Sequence, residues 1–511
     1  MNQKGFVVAA LLLAISLAAL DGTVVGTVMP TIIGQLGGLA YFSWAFSVYL
    51  LASTVTVPLY GKLADLYGRK PVLIFGCLLF IVGSLLCGVA GSMAQFIIFR
   101  AVQGLGAGAV LPITITVVGD LFSIEERARI QGVFSSVWGV TSLAGPGVGA
   151  LIAEGMSWRW VFLVNLPLGA ATVILLWRFF DERPQKQAHV LDYWGTLLLA
   201  GSATALLLGL LQGVDAYGWF GAPTLTLFGV SALLLVLFVL QEQRAAEPVL
   251  PLWLFRNKVI VVSSLATFII GGMMFGVTSY VPLFAQGVLG GTALDAGLIV
   301  LPMSIGWPLA TVLSGRVILR FGYYTSILIG GVFLVLGSAE LLMLSRDSSE
   351  LVGMAGALIV GMGMGFQMPA LVISVQNAVD WRNRGVATAT GQFFRSIGGS
   401  ISVAVMGAVL ASHLATRLVK IEGVPLGADA DTLLNARARA ALSPDVLEAM
   451  QRALASSLHE IFLLGLAGAL IAFATVLFFP RGSAQELAAS AEAASEAMGE
   501  APAAEKTTFV S

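Results

Sequence analysis

Charge is scarce in this sequence: Asp, Glu, Lys and Arg make up 11% of its 511 residues, against roughly 25% in soluble domains. A water-soluble fold of this length covers its surface with charged side chains, and there are too few here to do so. The net charge of −1 argues against nucleic-acid binding as the main role. Histidine is limited to His189, His413 and His459, far apart along the chain, so no metal site, no histidine-based catalysis and no cofactor are expected. Cysteine is limited to Cys77 and Cys87 on one apolar stretch. Ten residues of helix separate two groups by about 15 Å, beyond disulfide reach. The only Gly-Lys pair, Gly61 and Lys62, is followed by Leu63. No Walker phosphate loop exists, which argues against an ATP-driven pump. The apolar run from Phe6 to Leu20 continues past Asp21 without a cleavage site and reads as a retained first span.

What is present is apolar. Hydrophobic residues are 58% of the chain, with 59 glycines and a mean hydropathy of +0.92. Small residues at that density suit helices packed closely in lipid. A span needs roughly 20 apolar residues, and fourteen runs qualify: 6–29, 43–60, 72–91, 94–118, 131–153, 160–179, 193–212, 222–241, 259–283, 296–314, 323–344, 351–377, 387–411 and 459–479. The expected fold class is an all-α polytopic membrane protein. An even count puts both termini on one side. With that side inside, the inner segments hold Lys62, Arg69, Lys70, Arg127, Arg129, Arg183, Lys186, Arg244, Arg256, Arg316, Arg320, Arg382 and Arg384, while the short outer loops hold only Arg159 and Arg346. Loop lysine and arginine set orientation, so both termini are expected in the cytoplasm and the chain in the cell membrane.

An internal repeat organises the spans. Gly104, Gly106, Gly108 and Pro112 in the fourth recur as Gly361, Gly363, Gly365 and Pro369 in the twelfth, at an offset of 257. Gly61 and Gly68 recur as Gly315 and Gly322 at 254, and Arg129 as Arg384 at 255. Spans 1–6 therefore match spans 9–14, with spans 7 and 8 inserted between two parallel repeats and a cavity between the repeats. The expected organisation is a six-helix bundle over 1–180, two inserted helices over 181–257, a second six-helix bundle over 258–480 with an outer loop at 412–458, and a tail over 481–511 that is disordered or weakly helical. In the outer loop Ser443 can cap a helix that Pro444 begins and Asp445 and Glu448 favour, running on into the last span.

Ionisable groups inside a bilayer are costly and usually functional. Asp21 lies about 22 Å along the first span. Arg100 lies about 10 Å down from the outer face, or roughly 20 Å above the inner one. Opposite charges at similar depth could meet, and a substrate that separates them would favour protonation of the acid, which is what a proton-coupled carrier needs. A buried pair that only fixes packing is the alternative. Asp295 and Glu340, near outer ends of spans, are weaker candidates. The inner segment from Gly61 through Asp65, Gly68, Arg69 and Lys70 to Pro71 could make a clasp, its Asp65 accepting bonds from an arginine or a helix amino terminus. In the fifth span Gly139, Gly145, Pro146, Gly147 and Gly149 make either a pivot or a tight contact.

At these residues the chain resembles the major facilitator superfamily, and within it the fourteen-span drug/proton antiporters, over about 6–480. The resemblance rests on Asp21 to Pro30, Gly61 to Pro71, Arg100 to Gly106, Gly139 to Gly149, and Trp158 to Pro167. It implies two six-helix bundles plus two inserted helices. It further implies proton coupling by Asp21 and Arg100, gating by the 61–71 loop, and an exchange mode set by Gly139, Gly145, Pro146 and Gly149. Two features depart from the pattern: Gly26 stands where many members have asparagine, and the thirteenth span has no acid, its only charge being Arg395. Dicationic cargo is therefore disfavoured.

Eleven of 15 methionines follow residue 250. Met273, Met303, Trp307 and Phe366, with Gln103, Gln367 and Gln392, could line a permissive pocket, or they pack the core. The leading expectation is proton-driven export of amphipathic small molecules by a monomer in contact with lipid. Export of a specific metabolite, peptide or lipid is the alternative, and no enzymatic activity is expected.

Overall fold

A computed structural model describes residues 3–36, 42–182, 192–210, 217–245, 248–291, 293–421 and 442–481, together with 433 and 439. The tail from 482 and most of the loop at 422–441 lie outside the described residues. All regular structure among the described residues is helical. The first group is α1 (Gln3–Leu36), α2 (Phe42–Tyr67), α3 (Arg69–Val89), α4 (Met93–Leu121), α5 (Ile124–Gly155) and a crossing in two pieces, α6 (Arg159–Leu163) and α7 (Asn165–Phe179). Pro167 has no N–H for the carbonyl of Leu163, which accounts for the break at Val164. Then come α8 (Tyr193–Leu208) and α9 (Ala222–Glu242). The last group is α10 (Lys258–Gly287), α11 (Ala293–Leu342), α12 (Glu350–Asn377), α13 (Arg384–Leu418) and α14 (Pro444–Val476).

Ten helical stretches are long and apolar enough to cross a bilayer. α2 and α5 are long enough, at 26 and 32 residues, but more polar. α8 is a shorter apolar helix, and α11, at 50 residues, holds two crossings joined at Gly322. This accommodates the fourteen expected crossings. Exposed apolar side chains such as Phe75, Ile98, Trp177, Leu233 and Ile471 stud the outside, as a lipid-facing surface requires.

Helix starts follow capping chemistry. Ser92 accepts from the Gln95 N–H, and Ser123 with Glu126 forms a full capping box. The bond from the Ser123 N–H holds the Glu126 carboxyl below its usual range. α14 begins at Pro444 and runs unbroken to Val476, but Ser443 makes no side-chain cap bond.

The repeat is visible contact by contact. Gly68 (φ 97°) ends α2 and Gly322 (φ 81°) breaks α11. Both sit in the left-handed region that favours glycine, and each lets two helices join in a sharp turn. On α4, a Cβ at Gly106 would lie 2.3 Å from the Phe80 nitrogen, and at Gly104 2.6 Å from the Tyr49 carbonyl oxygen. On α12, Gly363 meets the Leu334 nitrogen at 2.8 Å and Gly361 the Met303 carbonyl oxygen at 2.4 Å. Phe80 and Leu334, and Tyr49 and Met303, are each 254 apart. The same glycines seat the same helix pairs in both halves.

Within the first half α1 packs on α4, α5 and α7, and α4 on α2 and α3; within the second, α11 packs on α12, and α10 on α13 and α14. The halves meet where α5 lies on α11 and α13 lies on α2 and α4. The inserted pair attaches at one edge. Ser202 and Ser231 each donate to the other's carbonyl at 2.9 Å, joining α8 to α9. Ala203 and Leu207 of α8 pack with Leu51 and Val55 of α2 and Ile397 of α13. Arg69, Lys70, Arg127 and Arg384 gather at one end of the bundle, called here the basic side.

Candidate functional site

Asp21 and Arg100, each 2% exposed, are brought together in the first half. Gly83 lets the backbone of α3 reach α4 at Gln103, and Gly104 lets α2 reach α4 at Tyr49. Those approaches set the walls of the site. An Arg100 Nη donates to Asp21 Oδ2 at 2.7 Å and to Gln103 Oε1 at 2.8 Å, and Gln103 Nε2 donates to Asp21 Oδ1 at 2.8 Å. The three side chains close a ring in which both carboxylate oxygens accept a bond. Behind it Gln103 also reaches the Ser84 hydroxyl, which accepts from Asn165 at 3.0 Å and donates to the Phe162 carbonyl. The Arg100 guanidinium lies 4.1 Å from the centre of the Tyr49 ring, a cation–π contact.

The electrostatics of this ring are restrictive. Gln103, expected along a substrate cavity, is fully buried and belongs to the ring instead. Its place three residues after Arg100 on one helix face was the available signal. Ser84 and Asn165 were not singled out as site residues, although each is a polar residue in an otherwise apolar crossing. Neutralising the carboxylate without moving Arg100 would leave a buried uncompensated cation, at a cost of about 3–5 kcal/mol. Proton binding at Asp21 is therefore tied to a rearrangement that gives Arg100 another partner or water.

A second charged cluster ties the halves together on the basic side. Asp65 accepts from the first backbone N–H groups of α13, Gly385 at 2.8 Å and Val386 at 2.7 Å, and pairs with Arg69 at 2.9 Å. Arg69, 1% exposed, also pairs with Asp120 at 3.0 Å, donates to the Trp381 carbonyl at 2.7 Å and stacks over the Trp381 ring. Arg384 reaches Asp120 at 3.3 Å, and Arg127 bonds Asn377. Glu182 caps α3 through the N–H groups of Arg69 and Lys70. Close packing completes the clasp, since a Cβ at Gly61 would lie 2.4 Å from that of Ala389. The structure is closed on this side. Nothing in the chain near Asp65 points to Asp120, Arg127, Trp381 or Arg384: Asp120 lies 51 residues beyond Arg69, and Trp381 and Arg384 meet their first-half partners across more than 260.

On α5, a Cβ at Gly139 would lie 3.0 Å from Ser304 of α11, and Gly145 and Gly149 are buried. α5 is one uninterrupted helix, and the Pro146 side chain lies outside the described residues. The expected pocket does not form as a set. Met273, Met303 and Trp307 belong to the packed core of the second half, as does Gln367, whose amide donates to the Ile327 carbonyl. Phe366 is buried and stacks on Phe333. Gly361 and Gly365 bring α12 against the carbonyls of Met303 and Trp307, which packs that face of α11 tightly, while Met273 lines a separate small cavity within the second half. Only Gln392 lines a cavity between the halves. Asp295 and Glu340 are half-buried near the opposite side from the clasp. Among the described residues no group of three or more His, Cys, Asp or Glu could hold a metal ion.

Comparison with known proteins gives a consistent result. Residues 11–403 match the family model described as Major Facilitator Superfamily. The multidrug transporter protein MdtP of Bacillus subtilis (strain 168) is 35% identical over 491 residues, covering 91% of each chain. Multidrug resistance protein 3 of the same organism is 33% identical over 483 residues, covering 93% of this chain and 94% of its own. Among solved structures, the proton:xylose symporter XylE superposes with a TM-score of 0.62 over 95% of this chain and 98% of its own. At 14% identity that likeness concerns the fold alone.

Proposed function

Because the chain belongs to the Major Facilitator Superfamily, and so is a multi-pass membrane transporter and not an enzyme, we propose that it exports amphipathic drugs or related small molecules in exchange for protons by alternating access. The observation that supports this reading is the buried Asp21–Gln103–Arg100 ring, in which neutralising the acid leaves its arginine without a counter-charge. The names of the two Bacillus relatives support drugs as the cargo class.

In this reading the protein lies in the cell membrane as a monomer, with both termini and the basic side in the cytoplasm. The closed clasp of Asp65, Arg69, Asp120 and Arg384 then corresponds to the outward-facing arm of the cycle. A proton arriving from outside neutralises Asp21, Arg100 turns to a new partner, and the halves rock so that the clasp opens inward. Each proton entering down 100 mV supplies about 2.3 kcal/mol.

The test is drug accumulation in an efflux-deficient host that expresses wild type or Asp21→Asn. Wild type is expected to lower accumulation of several amphipathic compounds, and the variant is expected not to. Equal efflux by both removes Asp21 from coupling. If wild type exports no compound of a broad panel, the cargo is a specific metabolite, peptide or lipid instead.

A further inference from the structure

Asp21 and Arg100 pair with each other inside the first half, and Arg69 pairs with Asp120 at the basic side. Arg395 is different. It lies eleven residues into α13, so about 16 Å along the helix and near the middle of a 30 Å apolar core. No carboxylate, carbonyl or hydroxyl among the described residues bonds its guanidinium. An unpaired cation at that depth is expensive, and Arg395 is half-buried.

A cavity between the halves is lined by Ile115 of α4, Ser263 and Thr267 of α10, Met368 of α12, and Thr388 and Gln392 of α13. Arg395 follows Thr388, Gly391 and Gln392 by seven, four and three residues, which puts all four on one helix face. A helical side chain leans over the turn that precedes it, and for Arg395 that turn carries Gly391 and Gln392 of the cavity wall. That turn is open: a Cβ on Gly391 would meet nothing within 4 Å. On the opposite wall the Ser263 hydroxyl is 2% exposed and has no hydrogen-bond partner. A buried hydroxyl without a partner is a group waiting for a ligand.

We propose that Arg395 holds the anionic group of the cargo, which is an amphipathic organic anion or zwitterion bearing a single carboxylate or sulfonate. Ser263 and Gln392 supply neutral hydrogen bonds deeper in the same cavity, and Ile115 and Met368 take the apolar body. This rests on the export reading above and narrows it. The absence of any acid in the same span fits anionic rather than cationic cargo.

The experiment uses the full chain in phosphatidylcholine liposomes with a matched pair of probes, a dansyl-labelled carboxylate amphiphile and its carboxamide. For Arg395→Gln, carboxylate transport is expected to fall roughly tenfold or more in kcat/KM, as for loss of a charge-assisted bond, and carboxamide transport to fall by a clearly smaller factor. Arg395→Lys should recover part of the carboxylate rate. An equal fall for both probes, or none for either, overturns the proposal. Thermal stabilisation of wild type by each probe needs no variant, and a carboxylate that stabilises no better than the carboxamide also overturns it. If wild type moves a cationic dye but neither probe, the anion proposal fails and the export reading stands. If it moves no amphiphile of any charge, both fail.

Discussion

Replacing Asp65 with asparagine should open the basic side without touching the proton site. The carboxylate accepts two N–H groups at the start of α13 and pairs with Arg69. Asparagine keeps one acceptor oxygen but turns an NH2 group toward the second N–H. One charge-assisted bond is worth about 1.5–3 kcal/mol, and the attraction of a negative charge to a helix amino terminus adds up to about 2 kcal/mol in a partly buried site. Arg69 keeps Asp120 at 3.0 Å, so it is not stranded. A net loss near 3 kcal/mol shifts the closed-to-open ratio about 100-fold, at tenfold per 1.4 kcal/mol. Spin labels at Glu125, exposed at the start of α5, and Arg320, exposed beside the Gly322 joint of α11, read this as an interlabel distance. Cys77 and Cys87 are buried, which keeps background labelling low. Wild type should give a short distance and Asp65→Asn a longer one at the same protonation. An unchanged distance distribution would refute the assignment of the clasp as what holds this side shut.

Other outcomes follow from the same contacts. Gly106→Ala and its repeat counterpart Gly363→Ala force a Cβ against backbone atoms of the next helix. Each should lower thermal stability in detergent by about 1–3 kcal/mol, and a neutral result for both would argue against the repeated packing. Asp21→Asn and Arg100→Gln alone should each cost about 3–5 kcal/mol by leaving a buried charge unmatched, whereas the double variant should be milder than either; simple additivity in a denaturation series would contradict the ring. If Arg395 carries an anion outward while one proton enters, two charges move per cycle. The driving force is then about 4.6 kcal/mol per 100 mV, twice that for neutral cargo, and potential clamping with valinomycin separates the two.

Much of this architecture is legible in the residues. The offset near 255 links Gly68 with Gly322 and Gly104 with Gly361, and the same offset governs which backbone each glycine meets. Depth is legible too, because rise per residue is fixed in a helix: Asp21 and Arg100 fall at similar heights and lie 2.7 Å apart. Azimuth is harder. Which way Met303, Trp307 or Gln103 faces depends on the neighbouring helix, and that neighbour is set by packing between distant segments. Those residues were expected along a pocket and lie in a core or a polar ring instead. The second-half partners of the clasp, Trp381 and Arg384, were hidden for the same reason, since nothing near Asp65 in the chain points to α13.

Proton movement in liposomes containing the purified protein tests the central claim most directly. Adding a transported compound on the cytoplasmic face should drive proton flux of opposite direction in wild type, and an imposed pH gradient should drive the compound in return. Asp21→Asn, with Arg100 intact, should bind the compound and move no protons with it. A variant that moves protons as wild type does, or a wild-type compound flux indifferent to the pH gradient, would contradict the role given to the Asp21–Gln103–Arg100 ring.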